Sequence, residues 1–223
     1  MIRLAILMLG VAVAALAVSP LGETAAERSL HGHMVQHMLL MFLAAPLIAA
    51  GGPRALIRFA PTRLRRSVTR AGHNRWARVA LSLTVAWAAF AAAQWIVHLP
   101  PVIAAAEHTA LLHAGLHAVL LGVSVLFWLP IMSPGPPARR RPAIRVAYLL
   151  TAMPVGDALA IWLMSVPRPL YEGVTVHDQR EAGTVMLAGS LMLAVTAAVT
   201  AWRAVAQEHR RQLRRERLEA RRA

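Results

Sequence analysis

Six apolar stretches, at about residues 2 to 18, 33 to 52, 79 to 97, 109 to 131, 146 to 166 and 182 to 202, take up most of this sequence. Each approaches the ~20 residues that an α-helix needs to cross a bilayer. In hydrocarbon a backbone must satisfy its own hydrogen bonds, and a helix does so within one segment. Glycine and proline clusters divide the stretches: Gly51-Gly52-Pro53, His98-Leu99-Pro100-Pro101, Ser133-Pro134-Gly135-Pro136-Pro137 and Pro167-Arg168-Pro169. The sequence therefore predicts an all-α fold, a polytopic transmembrane helix bundle of about six spans. Residues 1 to 202 form one helical domain, followed by an arginine-rich tail over 203 to 223. An apolar share of 57% suits such a bundle and is too high for a soluble domain.

Charge orients the bundle. All 24 basic residues are arginine, the acidic residues number 10, and the formal charge is +14. Short loops kept on the cytoplasmic side are enriched in Arg and Lys. Eight arginines fall between Arg54 and Arg78, four between Arg139 and Arg145, and eight between Arg203 and Arg222; Arg3 joins them. Only Arg28, Arg168 and Arg180 remain for the other side. Both termini are thus expected in the cytoplasm of a bacterial cell, with the chain in the inner (cytoplasmic) membrane. No recognition module accompanies the arginines, so nucleic acid is not expected as a partner. The tail, where Glu208, Glu216 and Glu219 interrupt the arginines, is expected to lie as a short amphipathic helix on the membrane surface. The first stretch has two readings. Arg3 with Ala15-Leu16-Ala17 also resembles a secretion signal. An uncleaved helix is preferred, because the charged flank is thin and the run ends at Pro20 without a soluble domain to export.

There is no cysteine. That excludes disulfides, thiolate-bound zinc, iron–sulfur clusters, thiol catalysis and covalently attached c-type haem. Chemistry must come from elsewhere, and the ten histidines are unevenly placed. His73 and His209 fall on the cytoplasmic side; His31, His33, His37, His98, His108, His113, His117 and His177 all fall toward the outer face. Ionisable groups in membrane segments are costly and face a cavity, a partner or a functional site. His33 and His37, and likewise His113 and His117, are four residues apart and so share a helix face. Met34, Met38 and Met41 follow on a neighbouring stripe. Imidazole accepts copper, zinc, iron and nickel, whereas thioethers select chiefly Cu(I), so the pattern points to copper first. The candidate metal residues are His33, His37, His113 and His117, with Met34 and Met38 completing or passing on Cu(I). The methionines also suit plain packing. His98 and His108 flank the Pro-Pro turn and are expected to meet at the mouth of the site. Asp157, the one carboxylate inside a span, fits a proton relay, a ligand-orienting role or a link between helices.

A family resemblance rests on His33-Met34-Val35-Gln36-His37-Met38-Leu39-Leu40 with Ala45-Pro46, and on His98-Leu99-Pro100. It continues through His108, His113 and His117 to Phe127-Trp128-Leu129-Pro130, and through Pro169-Leu170-Tyr171, Asp178-Gln179, Ala182-Gly183 and Met186. Over residues 31 to 200 the chain resembles the CtaG family of membrane-embedded cytochrome c oxidase assembly factors, described for caa-type oxidases. It departs from that pattern at Leu116, where a Glu is expected, and at Leu187, where a Trp often stands. The resemblance implies a part in maturing haem-copper oxidase by handling copper for the buried copper centre of the catalytic subunit. It implies that subunit, membrane lipid and a periplasmic copper donor as partners, and no enzymatic activity. Two rivals stand beside it: a b-type haem protein with axial histidines from two helices, and an ion or proton transporter using Asp157. A membrane hydrolase using histidine-bound metal and water is also conceivable, although no carboxylate is expected beside the histidine pairs to act as general base.

Overall fold

The computed structural model describes residues 2–52, 62, 82–132 and 142–220. Among them every regular element is helical. The helices are α1 (Ile2–Ala17), α2 (Pro20–Ala26), α3 (Leu30–Met38), α4 (Ala45–Gly51), α5 (Leu83–Val97), α6 (Pro100–Glu107), α7 (Ala110–Met132), α8 (Pro142–Ser165) and α9 (Val176–Ala220). A π-helical turn, Leu39–Ala44, joins α3 to α4. The arginines from 54 to 78 and from 139 to 141, those at 221 and 222, and His73 lie outside the described residues.

Side-chain caps mark the helix starts. Ser19, Ser29 and Ser82 each sit in extended conformation and accept from a backbone N–H three residues on, at Gly22, Gly32 and Val85. Gly52 ends α4 with φ +80°, a conformation that costs glycine little. Pro46 explains the π turn: it has no N–H for the carbonyl of Phe42 and its ring would crowd that carbonyl. The wider turn, in which the Ala45 N–H reaches Leu40, makes the room.

Four helices are long and apolar enough to cross a membrane: Leu30–Gly51, α7, α8 and α9. A fifth candidate is α5 with α6, which qualify only as a pair bent by 68°. The protein is thus a multi-pass membrane protein; among the described residues four helices qualify as spans by this measure, or five with the bent pair. The first stretch falls short: the 16 residues of α1 reach about 24 Å against about 30 Å of hydrocarbon. Nonetheless α1 packs closely on α4. A Cβ on Gly51 would stand 2.7 Å from the Leu7 nitrogen, and one on Gly10 2.8 Å from the Ile48 nitrogen, so only glycine lets these backbones meet.

The expected turn falls at His98 and Leu99. The prolines at 100 and 101 open α6, where a missing N–H costs nothing because the first helical turn leaves its N–H groups free. The tail is helical, as expected: residues 203 to 220 continue α9 without a break and are almost all exposed.

The rod from α3 to α4 is central, with α1, α7 and α9 packed around it, while α8 lies against α9. One apolar core joins Phe42, Phe90, Phe127, Trp128 and Leu149 at one end of the bundle. A second joins Leu30, Met34, Leu159, Leu163, Tyr171 and Met186 toward the end that carries the histidines.

Candidate metal centre

Three helix ends converge beneath a cavity of about 760 Å³ lined by Glu23, His33, His37, His113 and His117, among others. From α3, His33 and His37 present rings with centroids 4.4 Å apart. From α7, His113 and His117 do the same at 4.5 Å. Across the two helices, His33 lies 5.3 Å from His113, and His37 lies 5.1 Å from His117. The spacing of four within each helix decides the first two distances, and only packing decides the others. One ring nitrogen from each of His33, His37 and His117 lies within 4.8 Å of the other two. Nδ1 of His37, Nδ1 of His117 and Nε2 of His113 are buried and without a hydrogen-bond partner. Buried polar atoms of native proteins are normally paired, so their gathering at one place marks a place where lone pairs are kept available.

His98 and Met34 extend the cluster inward. His98 is 1% exposed and its ring stands 5.3 Å from that of His37. Its Nδ1 lies 2.5 Å from the Gln94 carbonyl. A carbonyl can only accept, so Nδ1 carries the hydrogen and Nε2 of the neutral ring keeps its lone pair. That nitrogen faces the Met34 sulfur at 3.1 Å. Imidazole nitrogen and thioether sulfur opposite one another are a pair suited to a soft ion.

The expectation that His98 and His108 meet at the mouth is therefore corrected. The eight residues of α6 intervene, about 12 Å of helix, and His98 is buried while His108 is exposed and does not line the cavity. Met38 is half-buried and packs against both apolar clusters. Met41 is fully buried beyond the start of the π turn, where the regular spacing of the methionine stripe ends. Asp157 accepts from the Ser190 hydroxyl at 2.5 Å, tying α8 to α9 away from the cavity lining.

Glu23 was not legible as part of this centre. Its Oε2 lies 3.3 Å from His113 Nε2, and its Oε1 lies 3.7 Å from His117 Nδ1. A carboxylate does stand beside the histidine pairs, contrary to the sequence expectation, because α2 folds back onto α3. The signal in the sequence was slight: Ser19-Pro20 is a helix start that places Glu23 in the first turn, on the outer side of the first stretch. Gln36, buried on α3, donates to Glu23 Oε1 and to the Ala17 carbonyl, both at 2.8 Å, and fixes the carboxylate.

Other residues hold the frame. Asp178 accepts from the backbone N–H of Leu30 at 2.6 Å and of His31 at 3.1 Å, so it caps the helix that carries His33 and His37. The His31 ring also contacts Asp178, at 2.7 Å, and His177 stands exposed nearby. Tyr171 donates to the His98 carbonyl at 2.8 Å. Burial raises its phenol above the ordinary value, which keeps that proton in place. Gln179 donates to the Leu163 carbonyl at 2.9 Å and accepts from the Leu170 N–H at 2.8 Å, anchoring the loop that delivers Tyr171.

These are the residues on which the family resemblance rested. The model of the cytochrome c oxidase caa3 assembly factor family, Caa3_CtaG, matches residues 1–208. The chain belongs to this family. No curated protein and no solved structure matches it. As a member of the Caa3_CtaG family, the chain carries His33, His37, Tyr171, Asp178 and Gln179 as one connected unit, with Asp178 capping the histidine helix and Tyr171 fixing His98. Leu116, the departure noted above, lines the cavity beside His117.

Proposed function

We propose that this chain takes part in cytochrome c oxidase assembly by binding copper as cargo and handing it to the haem-copper catalytic subunit. His33, His37 and His117 hold the ion, and His98 with Met34 receive it as Cu(I). The observation that carries this reading is the convergence of these three rings, with Nδ1 of His37 and of His117 buried and unpaired. An ion held by neutral imidazole and thioether is bound selectively, yet it leaves stepwise as ligands exchange one at a time. The chain's part is to orient these groups; no bond-making step is required. The setting is the bacterial inner membrane, with the centre on the periplasmic side, where a periplasmic donor reaches it. The three arginines expected on that side fit, with Arg28 on the cavity wall.

Ring packing favours a small ion over haem. A b-type haem places its iron between two imidazoles on opposite faces of a flat macrocycle. Here rings from different helices meet edge to face at 5.1 and 5.3 Å between centroids. Asp157, which the transporter reading would use, is bonded to Ser190 and does not line the cavity that holds the histidines. Elemental and optical analysis of the protein purified from its own membrane tests the proposal. Copper without a Soret band is the expected result. Copper content unchanged by His37→Ala would eliminate this centre.

A further inference from the structure

We propose a second metal position, at the outer end of the cluster, formed by Glu23, His113 and His117, which takes a divalent cation before the ion reaches His33 and His37. It rests on the copper-handling reading above and adds a place where the ion is first captured. One ligand atom from each of the three residues lies within 4.8 Å of the others. His113 Nε2 and His117 Nδ1 are buried and lack hydrogen-bond partners, and they are the atoms that face Glu23, at 3.3 and 3.7 Å. Gln36 occupies one lone pair of Glu23 Oε1 from the side of α1, so the carboxylate is held with its other oxygen toward the rings.

The donor sets separate the two positions. One carboxylate oxygen with two imidazole nitrogens is a harder set than imidazole with thioether, and it suits a divalent ion with one coordination place open. That open place faces the cavity. The wall there carries Glu27, Glu107, Glu172 and Asp178 with Arg28, so with Glu23 half of the chain's ten acidic residues surround one opening of a protein whose net charge is +14. Such a lining raises the local concentration of cations. His117 belongs to both positions, since its ring also lies 5.1 Å from His37 and 5.5 Å from His33. The ion can therefore pass inward, still divalent, with His117 retained while Glu23 and His113 are exchanged for His33 and His37; where it is copper, an external one-electron reductant supplies the electron that converts Cu(II) to Cu(I) before His98 and Met34 take it.

The experiment titrates the purified full-length protein in detergent with Zn(II), a divalent probe without redox chemistry. A parallel titration uses Cu(I) under anaerobic, reducing conditions, and both use competing chromophoric chelators. Glu23→Gln keeps an acceptor for Gln36, so α2 stays anchored. It is expected to weaken Zn(II) by about tenfold or more while Cu(I) affinity stays within about threefold. His113→Asn is expected to give the same pattern, and the pair His33→Ala with His37→Ala the opposite one. Zn(II) affinity untouched by both Glu23→Gln and His113→Asn overturns the proposal, as does parallel loss of both ions in each. Wild-type protein that binds Zn(II) through Glu23 but takes no Cu(I) leaves the outer position standing and removes the copper reading. Cu(I) binding without any Zn(II) binding does the reverse.

Discussion

At the arginine-flanked end of the bundle, Trp128 and Tyr148 bury large rings among Phe42, Phe90 and Phe127, and both polar tips find a carbonyl. The Trp128 indole donates to Met41 at 2.8 Å and the Tyr148 hydroxyl to Phe127 at 3.0 Å. Phe127 stacks between Phe90 and Tyr148 with centroids at 4.1 and 4.7 Å. At the opposite end, His33, His37, His113 and His117 are brought together, and Nδ1 of His37, Nε2 of His113 and Nδ1 of His117 are buried without a hydrogen bond. Unpaired atoms do occur at the aromatic end, at Trp87, Ser124 and Arg145, but singly and on three different helices. A polar atom buried without a partner costs about 1 to 3 kcal/mol. One end spends its polar groups on packing; the other keeps them free at a common point, which is how a fold retains lone pairs for an ion.

That contrast can be broken most decisively by removing His33 and His37 together as alanines. Copper retained on purification is expected to fall to background while thermal unfolding shifts little, because the buried ring nitrogens of this cluster make no hydrogen bonds that hold the fold. A collapse of the fold instead would mean that the histidines are packing groups like those at the other end. Next in size, Gly51→Val would drive a side chain into the Leu7 backbone and pry α1 from α4. Thermal stability in detergent is expected to drop by several degrees, and metal affinity with it, since Gln36 and Glu23 depend on the Ala17 carbonyl at the end of α1.

Asp178→Asn sharpens the comparison at the level of support. It weakens the cap of α3 without touching a ring of the centre, so metal affinity should fall by roughly fivefold, the equivalent of about 1 kcal/mol for a lost charged cap. Equilibrium titration reads it, and affinity unchanged within error would separate the cap from the centre. The smallest effect belongs to Trp128→Phe, which removes one hydrogen bond at the aromatic end. Unfolding free energy should drop by about 0.6 to 1 kcal/mol, with metal affinity unaltered. A loss of metal affinity there would show that the two ends are coupled.

Much of this was legible beforehand, for identifiable reasons. The pairs His33 with His37 and His113 with His117 follow from helical periodicity, which is local and survives any arrangement of the helices. The all-helical membrane architecture and the family follow from hydropathy and from motifs such as His33 to Leu40. The turn at His98 and Leu99 follows from the prolines, whereas the extra helix α6 and the continuity of α9 depend on what the chain does next. Among the described residues α1 is apolar but short, and α5 with α6 is bent, so hydropathy alone does not fix the number of spans.

Sequence alone determined the helices and the inventory of imidazoles, because backbone satisfaction in hydrocarbon and a repeat of 3.6 residues act over short range. Tertiary structure alone decided that His98 turns its bare nitrogen to Met34, that Asp178 caps a helix almost 150 residues away in sequence, and that Glu23 closes the ring of donors. Those contacts arise from how helix ends meet in space, and no spacing along the chain encodes the distance between residues that only packing brings together.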